Sequence, residues 1–259
     1  VEAPQPIISG SLLAARAVGA SRVIIAIEDN KPTAIEAMRK VAEGTDVEIE
    51  AVQTKYPQGG EKQLIAATLG LEVPTGGLPL EVGVVVVNVG TAATLARAVY
   101  RGKPLTHRVV SVSGGGIAQS KNLLVPIGTS YQTLIDYCGG LTDDAVRVIA
   151  GGPMMGFTFS GFDAPVTKGT SGLTILTARE MKPVEETPCL RCARCVTACP
   201  MRLIPQRLAL ATRAGNPELA NDYHINSCME CGCCAYICPA RLPLVQLIRL
   251  GKVMAKEAK

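Results

Sequence analysis

The sequence predicts three domains in series: an α/β domain, a small α+β domain, and a helical module built on a duplicated cysteine run. Three observations lead there. Over residues 22–101, apolar runs suited to buried strands alternate with helix-periodic segments. Over residues 108–156, short strand-like runs are separated by glycine turns. Nine of the ten cysteines then fall between Cys189 and Cys238, eight of them in Cys-x-x-Cys spacing. The expected domain boundaries are 1–104, 105–181 and 182–259. A chain of 259 residues suits two or three such units. With aromatics at 3% and no Trp, their cores must rest on Val, Ile, Leu and Ala.

In the first domain, Val23-Ile24-Ile25-Ala26-Ile27 reads as a buried parallel strand. Residues 31–42 follow as a helix, with Ile35, Met38 and Ala42 on one face and a cap from Asp29 or Asn30. An acidic residue after a strand can also bind a ribose, but without a Gly-rich loop capping is the better reading of Glu28-Asp29. Residues 47–52 alternate as a strand, and residues 61–69 read as a helix. Residues 83–89 read as a second buried strand. The helix of residues 91–101 is closed by Gly102 and Pro104.

In the second domain, strands are expected at 109–113, 123–127 and 146–150, with a short helix at 133–138. Gly114-Gly115-Gly116 reads as a hairpin turn. Residues 157–177 are turn-rich and return to the sheet. Met154-Met155 reads as core packing. Residues 182–188, with Pro183 and Pro188, read as a linker.

The last domain is an internal repeat. Cys189, Cys192, Cys195, Cys199 and Pro200 recur as Cys228, Cys231, Cys234, Cys238 and Pro239, and Arg202-Leu203 recurs as Arg241-Leu242. Every pair is offset by the same 39 positions. Each copy is the C-x-x-C-x-x-C-x-x-x-C-P run in which thiolates hold a [4Fe–4S] cluster, the fourth Cys serving the other copy's cluster. One cluster is therefore assigned to Cys189, Cys192, Cys195 and Cys238, the other to Cys228, Cys231, Cys234 and Cys199. Zinc needs only four ligands, usually in two separated pairs, and does not call for the third Cys and the Cys-Pro. Between the copies, residues 205–214 and a segment capped by Asn216-Pro217-Glu218 predict two helices.

Charge and composition exclude several classes. The start, Val1-Glu2-Ala3-Pro4, does not read as a signal peptide, and no apolar run is long enough to span a membrane. Clustered thiols favour metal ligation in a reducing compartment over disulfides. From Cys189 to the end, ten Lys and Arg stand against four Asp and Glu. They offset the charge of about −4 on two oxidised clusters with their thiolates; a docking face for an acidic electron carrier is the sharper alternative. Scarce aromatics and the lack of a basic stripe argue against nucleic acid. Cys138 and Cys233 read as buried inert thiols, and His107 and His224 as surface or capping residues.

Several segments resemble the RnfC family, peripheral members of the Rnf electron-transport complex: residues 56–64 (YPQGGEKQL), 83–91 (GVVVVNVGT), 108–114 (RVVSVSG), 151–156 (GGPMMG), and the cysteine repeat followed by residues 241–246 (RLPLVQ). The resemblance covers nearly all the chain beyond about Ile24. It implies an N-terminally truncated member, lacking a Gly-rich loop that cradles FMN and NADH phosphates. The family is similar to the flavoprotein subunit of respiratory complex I. The first domain would then be flavoprotein-like, the second a β-grasp, soluble-ligand-binding-like domain without a ligand of its own, and the third a helical ferredoxin-like module. Tyr56, Gly59 and Glu61 match the segment beside nicotinamide and flavin; Asn88 and Thr91 match the segment that contacts FMN. The resemblance implies an NADH-linked oxidoreductase subunit passing electrons between NAD(H)/FMN and partner carriers. Its partners would be the membrane subunits of the complex and, indirectly, ferredoxin or a similar acidic carrier. Its place would be peripheral, on the cytoplasmic side of the membrane. A soluble flavin/iron–sulfur cobalamin reductase and a flavin-free iron–sulfur scaffold are the alternatives.

Overall fold

A computed structural model describes residues 1–159, 161–181 and 185–257, in two compact units, Val1–Leu105 and Thr106–Lys259. Pro183, in the expected linker, lies outside the described residues.

The first unit runs α1 (Pro4–Val18), β1 (Val23–Glu28), α2 (Pro32–Ala42), β2 (Val47–Val52), α3 (Glu61–Leu69) and α4 (Val89–Arg101). Strands β1 and β2 pair in parallel, Val23 opposite Val47, with α2 as the crossover. Ile25, Met38, Ala42 and Val47 are buried together with Ile8 of α1. Helix α1 has no counterpart among the expected elements. It packs on α4 closely enough that a Cβ on Gly10 would stand 1.7 Å from the Ala92 carbonyl oxygen.

Two expectations fail here. Residues 83–88 are not a strand: they follow a 3₁₀ turn (Pro79–Val82), and Val85, Val87 and Val89 are exposed. An apolar run becomes a strand only where a neighbour supplies its ladder, and here only β1 and β2 pair. Asp29 and Asn30 do not cap α2, whose N-cap is Lys31 without a side-chain bond. The Asp29 carboxylate instead accepts from the backbone N–H (3.0 Å) and hydroxyl (2.6 Å) of Thr54, tying the ends of β1 and β2 together. Those bonds hold its carboxyl below the usual range.

The second unit opens with β3 (His107–Ser113), β4 (Lys121–Pro126), α5 (Tyr131–Tyr137), β5 (Ala145–Ala150), β6 (Phe157–Thr158) and β7 (Gly172–Thr177). They form a mixed five-stranded sheet in the order β4-β3-β7-β5-β6. Its central pair, β3 with β7, is parallel; the other pairs are antiparallel. Leu134 and Ile135 of α5 are buried with Val110, Val112, Leu173 and Ile175 of the sheet. The glycine turn after β3 is required sterically: at Gly114, φ is +116° and a Cβ would stand 2.0 Å from the Ile175 carbonyl oxygen. Leu173 is fully buried at the sheet centre. Leu173→Ala is expected to cost about 2–5 kcal/mol, read as a lower urea midpoint for this unit. Met154-Met155 is not core: Met154 is half-buried and Met155 exposed, in the turn between β5 and β6.

The unit closes with α6 (Arg194–Thr197), α7 (Pro205–Arg213), α8 (Pro217–Asp222), α9 (Cys233–Tyr236) and α10 (Leu244–Glu257). The Asn216 side chain caps α8 by accepting from the Leu219 N–H. The long helices α7 and α10 pack directly on one another, because α10 presents Gly251 there: a Cβ would stand 2.2 Å from Thr212 Oγ1. Among the described residues, no helix is long and apolar enough to cross a membrane.

Candidate metal centre

The repeat seen in the sequence is also a repeat of backbone conformation. Arg191, Ala193 and Arg202 have positive φ, and so do Glu230, Gly232 and Arg241 at the same offset. The short helices α6 and α9, and the starts of α7 and α10, are offset likewise. A non-glycine residue in this region costs about 1–3 kcal/mol. Strain repeated at matching positions of two copies marks a constraint both copies share.

The thiols group across the copies. Cys189, Cys192 and Cys195 line one cavity together with Cys238, which comes from the other copy. Cys228 and Cys234 lie within electrostatic reach of Cys231 and also of Cys199, from the first copy. Each copy's fourth Cys sits just after its short helix, α6 or α9.

Donors reach some of these sulfurs. The Leu203 N–H points at Cys199 Sγ (3.3 Å) and the Glu230 N–H at Cys228 Sγ (3.4 Å). Cys195 Sγ lies 3.2 Å from Gln206 Oε1. As a thiolate, Cys195 would call for the amide turned over, so that its NH₂ donates. Burial, then the neighbouring Cys228 and Cys231, push the Cys234 thiol up to about 12. Burial also raises Cys195 and Cys228. Thiols packed together in a dry site resist ionisation unless cations hold the thiolates, and iron supplies that charge. Among the described residues, no three His, Cys, Asp or Glu side chains converge on a point where one metal ion would sit. Four thiols lining one cavity, supplied by two C-x-x-C-x-x-C-x-x-x-C-P runs, fit a [4Fe–4S] cluster.

Cys138 is fully buried in the core beneath the mixed sheet, as an inert thiol should be. Cys233 is only half-buried; burial and a hydrogen bond of its thiol to Cys231 raise it to about 11. His107 and His224 are exposed. In the first unit, Tyr56 and Gly59 lie in the exposed turn that enters α3, and exposed Glu61 is that helix's first residue. Asn88 is the N-cap of α4, accepting from the Gly90 N–H at 2.9 Å, and Thr91 is exposed on that helix's first turn. The two groups thus mark the N-terminal ends of two helices, where backbone N–H groups favour anionic ligands.

Comparison with known proteins gives three matches in chain order. Residues 1–97 match the Nuo51 FMN-binding domain, residues 109–158 the SLBB domain, and residues 188–242 the 4Fe-4S dicluster domain. The RnfC protein of the proton-translocating ferredoxin:NAD(+) oxidoreductase complex of Clostridium ljungdahlii is 46% identical over 96% of this chain and 55% of its own length. Its counterpart in the Na(+)-translocating complex of Acetobacterium woodii is 44% identical over 79% of this chain and 46% of its own. The counterpart in the ion-translocating oxidoreductase complex of Rhodobacter capsulatus is 45% identical over 97% of this chain and 49% of its own. The chain thus spans about half the length of the curated relatives it matches. Among solved structures, a chain of an NAD⁺-reducing [NiFe]-hydrogenase shares the fold, with a TM-score of 0.55 at 19% identity, over 85% of this chain and 43% of that one.

Proposed function

The chain belongs to the RnfC family of ion-translocating oxidoreductase complexes, and on that premise we propose that it relays electrons between NAD(H) with FMN and partner carriers through two [4Fe–4S] clusters. The observation that carries this reading is the grouping of eight thiols into two crossed sets of four. When bound, FMN exchanges electron pairs with NAD(H) and the clusters accept electrons singly.

The chain's own residues hold and tune these groups. Cys189, Cys192, Cys195 and Cys238 hold one cluster; Cys228, Cys231, Cys234 and Cys199 hold the other. The N–H groups of Leu203 and Glu230 donate to ligand sulfurs, which favours the more negative, reduced state. Asn88 and Thr91 bind the flavin, and Tyr56, Gly59 and Glu61 border the nucleotide. The domains of residues 1–104, 105–181 and 182–259 supply, in order, the flavin site, a β-grasp spacer and the clusters. The protein works peripherally on the cytoplasmic side of the membrane, beside the membrane subunits of the complex, with ferredoxin or a similar acidic carrier further along the route. The matches to RnfC proteins favour this over a soluble cobalamin reductase.

The test is the cofactor content of the full-length chain purified without oxygen. About eight iron and eight sulfide per chain are expected, with FMN in equal amount to the protein. Stoichiometric zinc without sulfide would overturn the cluster reading. Clusters without flavin would leave a scaffold and overturn the NAD(H) half.

A further inference from the structure

The two cysteine copies share a backbone but not their surroundings. Of Cys189, Cys192, Cys195 and Cys238, two are exposed and one is buried; of Cys228, Cys231, Cys234 and Cys199, none is exposed and two, Cys231 and Cys234, are buried with 7% exposure each. One turn of the preceding sheet domain lies against the second copy. The turn between β5 and β6 lays the Met154 carbonyl against Gly232, so closely that a Cβ on Gly232 would stand 2.7 Å from its oxygen. Arg249 of α10 holds that turn in place. Its guanidinium donates to the Met155 carbonyl (3.2 Å), pairs with Glu230 (2.8 Å), and lies 4.5 Å over the Phe157 ring. Lys252, one turn further on, donates to Glu230 and to the Cys228 carbonyl, both at 2.7 Å.

None of these parts exists in the first copy. At the matching positions, Arg191 stands for Glu230, Ala193 for Gly232 and Leu210 for Arg249. Arg213 stands for Lys252 but pairs with Glu186 instead. Ala193 also shows that an alanine can adopt the left-handed backbone at this position. What requires glycine at 232 is therefore chiefly the neighbouring Met154 carbonyl.

We propose that the Met154-Met155 turn, clamped by Arg249 and Phe157, is a cap that keeps water from the Cys228/Cys231/Cys234/Cys199 centre and so sets its potential below that of the exposed centre. The inference rests on the cluster reading above. Its physics is simple: reduction adds negative charge, and a dry site makes added charge more costly. The cap would make the two centres unequal stations, so that an electron rests preferentially on the exposed one.

The test uses the full-length chain loaded with clusters, titrated anaerobically with dithionite and followed by EPR. A water-soluble chromium(III) oxalate complex reports solvent access by broadening. In the parent protein, one cluster signal is expected to broaden and the other, of lower midpoint, to resist. Cys231→Ser assigns the resistant signal by removing it. Phe157→Ala, an exposed edge residue whose loss alters no charge, should raise the midpoint of the resistant signal and let it broaden, leaving the other unmoved. Gly232→Ala should do the same more strongly. Equal broadening in the parent, no shift in Phe157→Ala, or a shift of both midpoints together would overturn the cap. Lack of both cluster signals in the parent would instead overturn the cluster reading, and the cap with it.

Discussion

Cys199→Ser is expected to remove the same cluster signal as Cys231→Ser, although Cys199 lies in the other copy of the repeat. Each variant should lose about half of the iron, four atoms of about eight. The reciprocal pair, Cys238→Ser and Cys192→Ser, should share loss of the other signal. The expectation follows from the grouping of the sulfurs. Cys238 lines the cavity of Cys189, Cys192 and Cys195, and Cys199 acts electrostatically on Cys228 and Cys234. Each long helix begins just after a fourth Cys, so the two crossed sets are held in place by the packing of α7 on α10. Iron content, with EPR of the remaining cluster, reads the result. Loss of the Cys189-side signal from Cys199→Ser would show that each copy holds its own cluster, and the pairing would be wrong.

The repeat on which this pairing is proposed was legible in the sequence because its constraint is local and occurs twice. Thiol spacing, Cys-Pro, and the Arg-Leu that follows recur at one offset, and the positive-φ residues recur at the same offset in space. Strands and helices with both a period and a partner were legible too: β1, α2 and β2 fall where residues 23–27, 31–42 and 47–52 placed them. What failed was whatever depended on a distant neighbour. Residues 83–88 have a strand's composition, but no adjacent strand takes up their backbone groups. Asp29 stands where a helix cap should be and was captured by Thr54, 25 positions away. The role of Met154-Met155 depends on Gly232 and Arg249, which no local pattern links to a turn in another domain. Helix α1 left a weak trace, since only Ile8 and Gly10 of it are buried.

That weak trace leads to the largest effect expected in the first unit, for Gly10→Ala. On propensity alone the change should help, because Ala in a helix interior is favoured over Gly by about 1 kcal/mol. Packing opposes it. The new Cβ would lie 1.7 Å from the Ala92 carbonyl oxygen and 2.4 Å from its carbon, with both atoms in the backbone of α4. No rotamer change relieves a backbone clash, so α1 and α4 must part. Overpacking of this kind costs about 1–3 kcal/mol or more, and the separation also exposes Ile8, now 1% accessible. The net effect is destabilisation, seen as a lower melting temperature for the first unit while the cluster signals stay unchanged. Ala92→Gly in the same chain should not rescue it, because the atom in the way belongs to the main chain. Helix α4 starts at Asn88, whose side chain caps it, so the displaced helix should also hold FMN more weakly. A Gly10→Ala chain that melts higher than the parent would show that α1 does not pack on α4 at this residue.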